Sequence, residues 1–141
     1  MNPTRICFIR HGETDWNVDR RIQGQIDIPL NDTGRSQALA MAFNAAHHSF
    51  ADIYSSDLMR AQETAKLLAE REGLEVKPLP QLRERHYGIF EGLIKDELHK
   101  HPDPYAKYQA RDLEYDFENG ETIPALAARV EAAVDFMVSH H

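Results

Sequence analysis

A four-residue apolar run, Ile6-Cys7-Phe8-Ile9, stops abruptly at Arg10, His11, Gly12, Glu13 and Thr14, and this junction constrains the fold more than any other stretch. A short apolar run ending in charged side chains reads as a buried strand feeding a loop. In open α/β sheets ligands collect at the carboxyl ends of strands. An imidazole beside a guanidinium there points to a nucleophile next to an anion clamp. Gly12 would let the backbone come close to the ligand. Cys7, the sole cysteine, is expected to be an inert thiol inside that strand, and it rules out an intrachain disulfide.

Strand and helix signals alternate along the rest of the chain. Asp15 to Leu30 has no sustained period and reads as a functional loop. A first helix is expected from Thr33, as N-cap, to Ala46, with Ala38, Met41, Ala42 and Ala45 on one face. Ala51 to Tyr54 is a second strand, and Ser55-Ser56-Asp57 turns the chain into a helix from Leu58 to Glu72 that Gly73 ends. Arg60 falls in its first turn, where free N–H groups already favour an anion. Glu75 to Leu79 is a third strand, at an edge because of Pro78. From Glu91 to Asp116 the chain is polar and broken at His101-Pro102-Asp103-Pro104. It reads as a cap with short helices at Leu93–His99 and Tyr105–Arg111. Pro124 sits at N1 of a last helix whose buried stripe is Leu126, Val130, Ala133, Val134 and Met137.

Arg10-His11-Gly12-Glu13-Thr14 with Trp16-Asn17 resembles the signature of the histidine phosphatase (phosphoglycerate mutase-like) superfamily. Tyr54 to Ala61 is similar to the family's second phosphate-binding segment, and Leu82 to Gly88 to its general-acid segment. With Gln23 to Leu30 they carry the likeness from Thr4 to Gly92 in the family's order, thinning afterwards to Gly120-Glu121-Thr122. The resemblance implies an α/β three-layer sandwich with a mostly parallel central sheet, and a single domain over 1–141 with a cap-like insertion at 89–119. It implies that His11 becomes phosphorylated, that Arg10, Arg60 and Asn17 hold phosphate oxygens without a metal ion, and that Glu84 is the acid. Gln23, Gly24, Arg85 and Tyr87 complete the implied substrate contacts. Glu84 would need burial and a neighbouring anion to keep its proton, the latter supplied by bound phosphate. His11 must be neutral to attack, one ring nitrogen donating to a backbone carbonyl.

Composition bounds the partners. The 141 residues suffice for one domain, and 42% apolar with 28% charged residues is ordinary for a globular protein. A net charge of -7 argues against nucleic acid or an anionic membrane as partner. An anionic substrate is still compatible with it. Opposite charges ~4 Å apart at an effective dielectric near ~20 gain about 4 kcal/mol, whereas dispersed surface charge is screened beyond ~8 Å. Arg20 and Arg21 in the long loop could gather such a substrate. The paired histidines His47-His48 and His140-His141, and His99 with His101, lack zinc spacing, so no metal is expected. No signal-peptide pattern precedes the first strand, which makes the cytoplasm the default expectation.

The family also carries a second catalytic histidine in a Val-Ser/Thr-His-Gly segment after a later strand, one that lies beside the first strand in the sheet. This sequence has no such segment. Val138-Ser139-His140 resembles it only superficially, since it follows a helix directly and His141 replaces the glycine. The expectation is a front portion of a longer protein, ahead of completion by a partner chain or a degraded relative. The implied activity is a metal-independent phosphomonoesterase acting on small phosphorylated metabolites. The alternatives are a phosphoglycerate mutase, which alone would need 2,3-bisphosphoglycerate as cofactor, and a phosphate-binding protein with little catalysis. Self-association as a homodimer stays open.

Overall fold

The computed structural model describes residues 3–45 and 47–141. Its elements run α1 (Asp15–Val18), α2 (Asp32–Ala45), β1 (Ile53–Ser55), α3 (Met59–Glu72), β2 (Val76–Pro78), α4 (Pro102–Gln109) and α5 (Ile123–Ser139), with 3-10 turns at Pro80–Leu82, Gly88–Phe90 and Lys95–Lys100. β1 and β2 pair in parallel with Ile53 opposite Val76 and Ser55 opposite Pro78, and α3 is the crossover between them. Helices cover both faces of this small sheet. Ile53 packs with Ala42, Leu68 and Ala69 of α2 and α3. Tyr54, one residue on and therefore on the opposite face, meets Phe136 of α5 edge-on at 6.2 Å. A second core, built from Ile22, Phe90, Leu98 and Phe117, lies beneath the cap segment.

α3 forms as its periodicity dictates. Leu58, Leu68 and Ala69 are buried, and Gly73 closes the helix at φ 68, a left-handed conformation that costs other residues strain. α5 starts at Thr122, whose Oγ1 accepts from Ala125 N at 3.2 Å, with Pro124 in the first turn and Ala133 and Met137 buried. Three local expectations need correction. The cap of α2 is Asn31, whose Oδ1 accepts from Gly34 N at 2.8 Å, and not Thr33; Ala46, its expected end, lies outside the described residues. The prolines at 102 and 104 do not break the cap but begin α4, because a missing N–H costs nothing in a first turn. Asp15–Val18 is a helical turn within the expected loop, closed by a capping box between Thr14 and Asn17.

The largest difference concerns the first strand. Residues 3–11 have no regular secondary structure and form no ladder, and among the described residues no backbone group of Thr4 to Arg10 finds a hydrogen-bond partner. Phe8 is 71% exposed, Ile9 41%, and Cys7 is exposed too, so the expected buried thiol is not buried. Among the described residues no strand pairs with this segment. A cavity of about 630 Å³ separates this segment from β1, lined by Ile6, Phe8, Ile53, Tyr54, Met137 and His141 among others. Ser55 O accepts from Leu79 N at 2.7 Å, so Ser55 faces β2 and the backbone of Tyr54 faces the cavity unpaired.

Candidate active site

The loop that follows residues 3–11 is fixed by small contacts from α3 and from the start of α2. Gly12 N donates to Thr64 Oγ1 at 3.0 Å, and Thr64 Oγ1 donates in turn to Arg60 O at 2.8 Å, which ties the loop to α3. Asn31 N donates to Glu13 O at 3.0 Å. Gly12 and Gly34 pack backbone to backbone: a Cβ on Gly34 would overlap the Glu13 carbonyl, and one on Gly12 would overlap that of Gly34. Gly34→Ala is therefore expected to destabilise the fold by roughly 3 kcal/mol, beyond ordinary overpacking because the obstacle is backbone. A chemical-denaturation midpoint equal to that of the wild type would contradict it.

His11 is half-buried at the border of two cavities. Its Nδ1 lies 2.6 Å from Gly12 O, so Nδ1 carries the proton and Nε2 keeps its lone pair. Burial pushes the His11 pKa below its ordinary 6.5, and the positive charges of Arg60 and Arg10 push the same way, against the Gly12 carbonyl and the Glu84 carboxylate. The folded state thus favours neutral imidazole. Its contribution to stability is complete above pH 6.5 and is lost as pH falls through the lower folded value. A ring-proton NMR titration of His11 should give a midpoint below 6.5 that rises in Arg60→Gln; a midpoint at or above 6.5 would refute the burial argument.

Two guanidinium groups arrive from separate elements. Arg10 is exposed and makes no hydrogen bond or ion pair among the described residues. Arg60, in the first turn of α3, is 2% exposed and donates to Gly24 O at 2.6 Å and Ile26 O at 2.9 Å, leaving three of its five N–H donors unassigned. Both arginines line the 630 Å³ cavity with His11 and Glu84. On the other side of His11 a cavity of about 360 Å³ is lined by Arg10, Trp16, Asn17, Arg20, Arg21 and Lys95. Asn17 commits its Oδ1 to Thr14 N at 3.0 Å, which leaves the amide Nδ2 for a ligand. Arg21 lies 5.4 Å from the Trp16 ring centre, and Arg20 pairs with Asp96 at 3.2 Å.

Other expected contacts stand elsewhere. Gln23 and Gly24 sit one layer back: Gln23 Oε1 is 2.8 Å from Thr14 Oγ1, and Gly24 supplies the carbonyl that Arg60 holds. Arg85 is buried away from both cavities. It donates to Glu121 O and Tyr115 O, each at 2.9 Å, and lies 4.8 Å from the Phe117 ring centre. Tyr87 packs 5.5 Å from the same ring, and burial raises its pKa. Motif letters place these two beside the site in sequence, but the cap core claims their side chains. Glu84 is exposed rather than buried, its Oε1 accepting from Arg85 N at 2.6 Å. His140 caps α5, its Nδ1 2.7 Å from Phe136 O, and does not approach His11. Sequence reasoning missed Thr14, Gly34 and Thr64, whose roles lie in contacts between distant segments. Among the described residues no three His, Cys, Asp or Glu gather as a metal site, and no helix is long and apolar enough to cross a membrane.

Known proteins resemble this chain in sequence and fold. The sequence is 39% identical over 140 residues to phosphoglycerate mutase-like protein 4 of Arabidopsis thaliana, covering 96% of this chain and 61% of that one. The fold matches a mycobacterial glucosyl-3-phosphoglycerate phosphatase solved with VO3 at a TM-score of 0.87 and 37% identity, over 94% of this chain and 63% of that one. It also matches Bacillus stearothermophilus YhfR at 0.83 and 34%, over 94% and 66%. The chain thus spans less than two thirds of the length of these relatives. The profile of the histidine phosphatase superfamily (branch 1) matches residues 6–141, and the chain belongs to that family.

Proposed function

We propose that this chain carries the phosphoryl-accepting centre of a metal-independent phosphomonoester hydrolase that works through phosphohistidine on small phosphorylated metabolites. One observation carries the reading: a half-buried imidazole, held by a carbonyl at 2.6 Å through Nδ1, lines one cavity with two arginines from distant segments. His11 Nε2 attacks phosphorus in line with the ester oxygen. Arg10, Arg60 and the Asn17 amide neutralise the equatorial oxygens, the charge stabilisation on which such transfers depend. Glu84 protonates the leaving oxygen, the P–O bond breaks, and the alcohol departs. Glu84, although exposed, lines the same cavity as His11 and both arginines. Water then attacks phosphohistidine and gives its proton to Glu84 as the P–N bond breaks, releasing inorganic phosphate and neutral His11.

The basic cavity beyond His11 supports a substrate with a second anionic group, which Arg20, Arg21 and Lys95 would face. A hydroxy-acid phosphate or a sugar bisphosphate has that form. The same observation favours a second reading, a phosphoglycerate mutase of the kind found in glycolysis, an isomerase in which phosphate returns from His11 to the substrate. The test is a quench of the chain in alkali after mixing with labelled aryl phosphate. Alkali-stable, acid-labile label on His11 supports either enzyme. Phosphate release without added 2,3-bisphosphoglycerate selects the hydrolase. Phosphate binding with no trapped label would leave a binding protein only.

A further inference from the structure

We propose that Arg129, on α5, is the positioning residue of the proton donor Glu84. All five N–H donors of its guanidinium have acceptors. Nη1 donates to Gln81 O and Arg83 O, both at 2.7 Å, and Nη2 to Glu84 O at 2.9 Å. The remaining two go to Glu121, Nε to Oε1 at 2.6 Å and Nη2 to Oε2 at 2.8 Å. A planar fork that meets three carbonyls of one four-residue stretch fixes the course of that stretch, because moving any one carbonyl breaks the others' geometry.

Glu121 extends the clamp to the far side of Glu84. Its N–H donates to His86 O at 2.9 Å, its carbonyl takes Arg85 Nε at 2.9 Å, and its Oε2 accepts from His86 N at 3.3 Å. The backbone reaches this position through left-handed residues Phe117, Glu118 and Asn119, which bring Gly120 against His86 O and Gly88 N. The Arg129 hydrogen bond holds the Glu121 carboxyl below its ordinary pKa, so the pair stays ionised. On the remaining side Arg83 grips Asp57 through Nε at 2.6 Å, and Gln25 Nε2 gives Glu84 O a second donor at 3.1 Å.

The Glu84 side chain has no comparable hold. It is exposed and its only partner among the described residues is the N–H of Arg85. The aim of the carboxyl is therefore set by its backbone, and the backbone is set by Arg129. An error near 1 Å in a donor's place costs on the order of 100-fold in rate. Arg129 touches no ligand cavity, which separates it from the groups that would contact substrate.

The inference rests on the acid role proposed for Glu84, and the experiment separates the two. Single-turnover phosphorylation of His11 is compared for 2,4-dinitrophenyl phosphate, which needs no proton, and phenyl phosphate, which does. Glu84→Gln tests the acid itself. Arg129→Gln should lose on the order of 30-fold on phenyl phosphate and under about 3-fold on the dinitrophenyl ester, with Arg129→Lys between. The double variant should be no worse than Glu84→Gln alone, since there is then no proton to aim. Thr122→Ala weakens the same helix at its cap, yet should lower the melting temperature without changing the ratio between esters. Equal losses on both esters in Arg129→Gln, or losses that multiply in the double variant, overturn the positioning role while Glu84 keeps its own. Absence of ester discrimination in Glu84→Gln overturns both. Where the wild-type chain phosphorylates from neither ester, the carboxyl carbon of Glu84 is followed by NMR at fixed pH as inorganic phosphate is added. A phosphate-dependent change of its chemical shift in the wild type that is absent in Arg129→Gln upholds the positioning role; the same change in both, or in neither, overturns it.

Discussion

His11→Ala should abolish trapping of phosphate on the protein, with a loss on the order of 10⁶ in the rate of ester cleavage, the scale seen when a nucleophile that acts as part of a unit is removed. The fold should survive. The imidazole is half-buried and pressed by two positive charges, and its single hydrogen bond goes to the carbonyl of the next residue. Loss of a neutral, desolvated ring leaves Gly12 anchored by Thr64 and packed on Gly34. The variant should therefore melt within about 1 kcal/mol of the wild type near neutral pH, and its stability should fall less as the medium is acidified, because the group whose protonation opposes folding is gone. Retained turnover of a generic aryl phosphate would remove His11 from the chemistry. A collapse of the melting transition would show instead that the loop depends on the ring.

What was legible in the sequence followed from local rules. The apolar stripe and Gly73 define α3 because periodicity and a left-handed cap need no knowledge of the rest of the chain. Pro124 marks the start of α5 in the same way, although the helix begins one residue before it, at Ile123, with Thr122 as its cap. The run Ile6 to Ile9 has every local mark of a buried strand, yet a strand is a relation between neighbours, and no described segment lies beside it. Side-chain direction was the other blind spot. Arg85 follows Glu84 in a motif, but its guanidinium turns to Phe117 and the carbonyl of Tyr115, thirty residues on. Arg129 carried no motif at all. Its part emerges only when α5 and the Glu84 loop are seen to lie side by side.

Arg60→Met should weaken both the binding of phosphate and the fold, and the two losses have separate causes. The guanidinium is almost fully buried, and its desolvation, which depresses its pKa, is offset by Glu84, Asp27 and Glu91 nearby. Two of its donors are spent on Gly24 O and Ile26 O, which shape the loop leading from the basic cavity. Methionine fills much of the space of the buried stem but leaves both carbonyls without a partner, at about 1 to 3 kcal/mol each, so a stability loss of roughly 3 kcal/mol is expected after some rehydration. Phosphate loses one charge-assisted fork, worth about 3 kcal/mol, or on the order of 100-fold in affinity for inorganic phosphate or vanadate. Arg60→Lys separates the causes. An ammonium keeps the charge but cannot serve two carbonyls and an anion from one planar frame, so it should recover part of the affinity and little of the stability. Isothermal titration with vanadate and urea unfolding on the same preparations give both numbers. Full affinity in Arg60→Met would mean that phosphate is held by Arg10 alone, and that the buried arginine serves the loop and not the ligand.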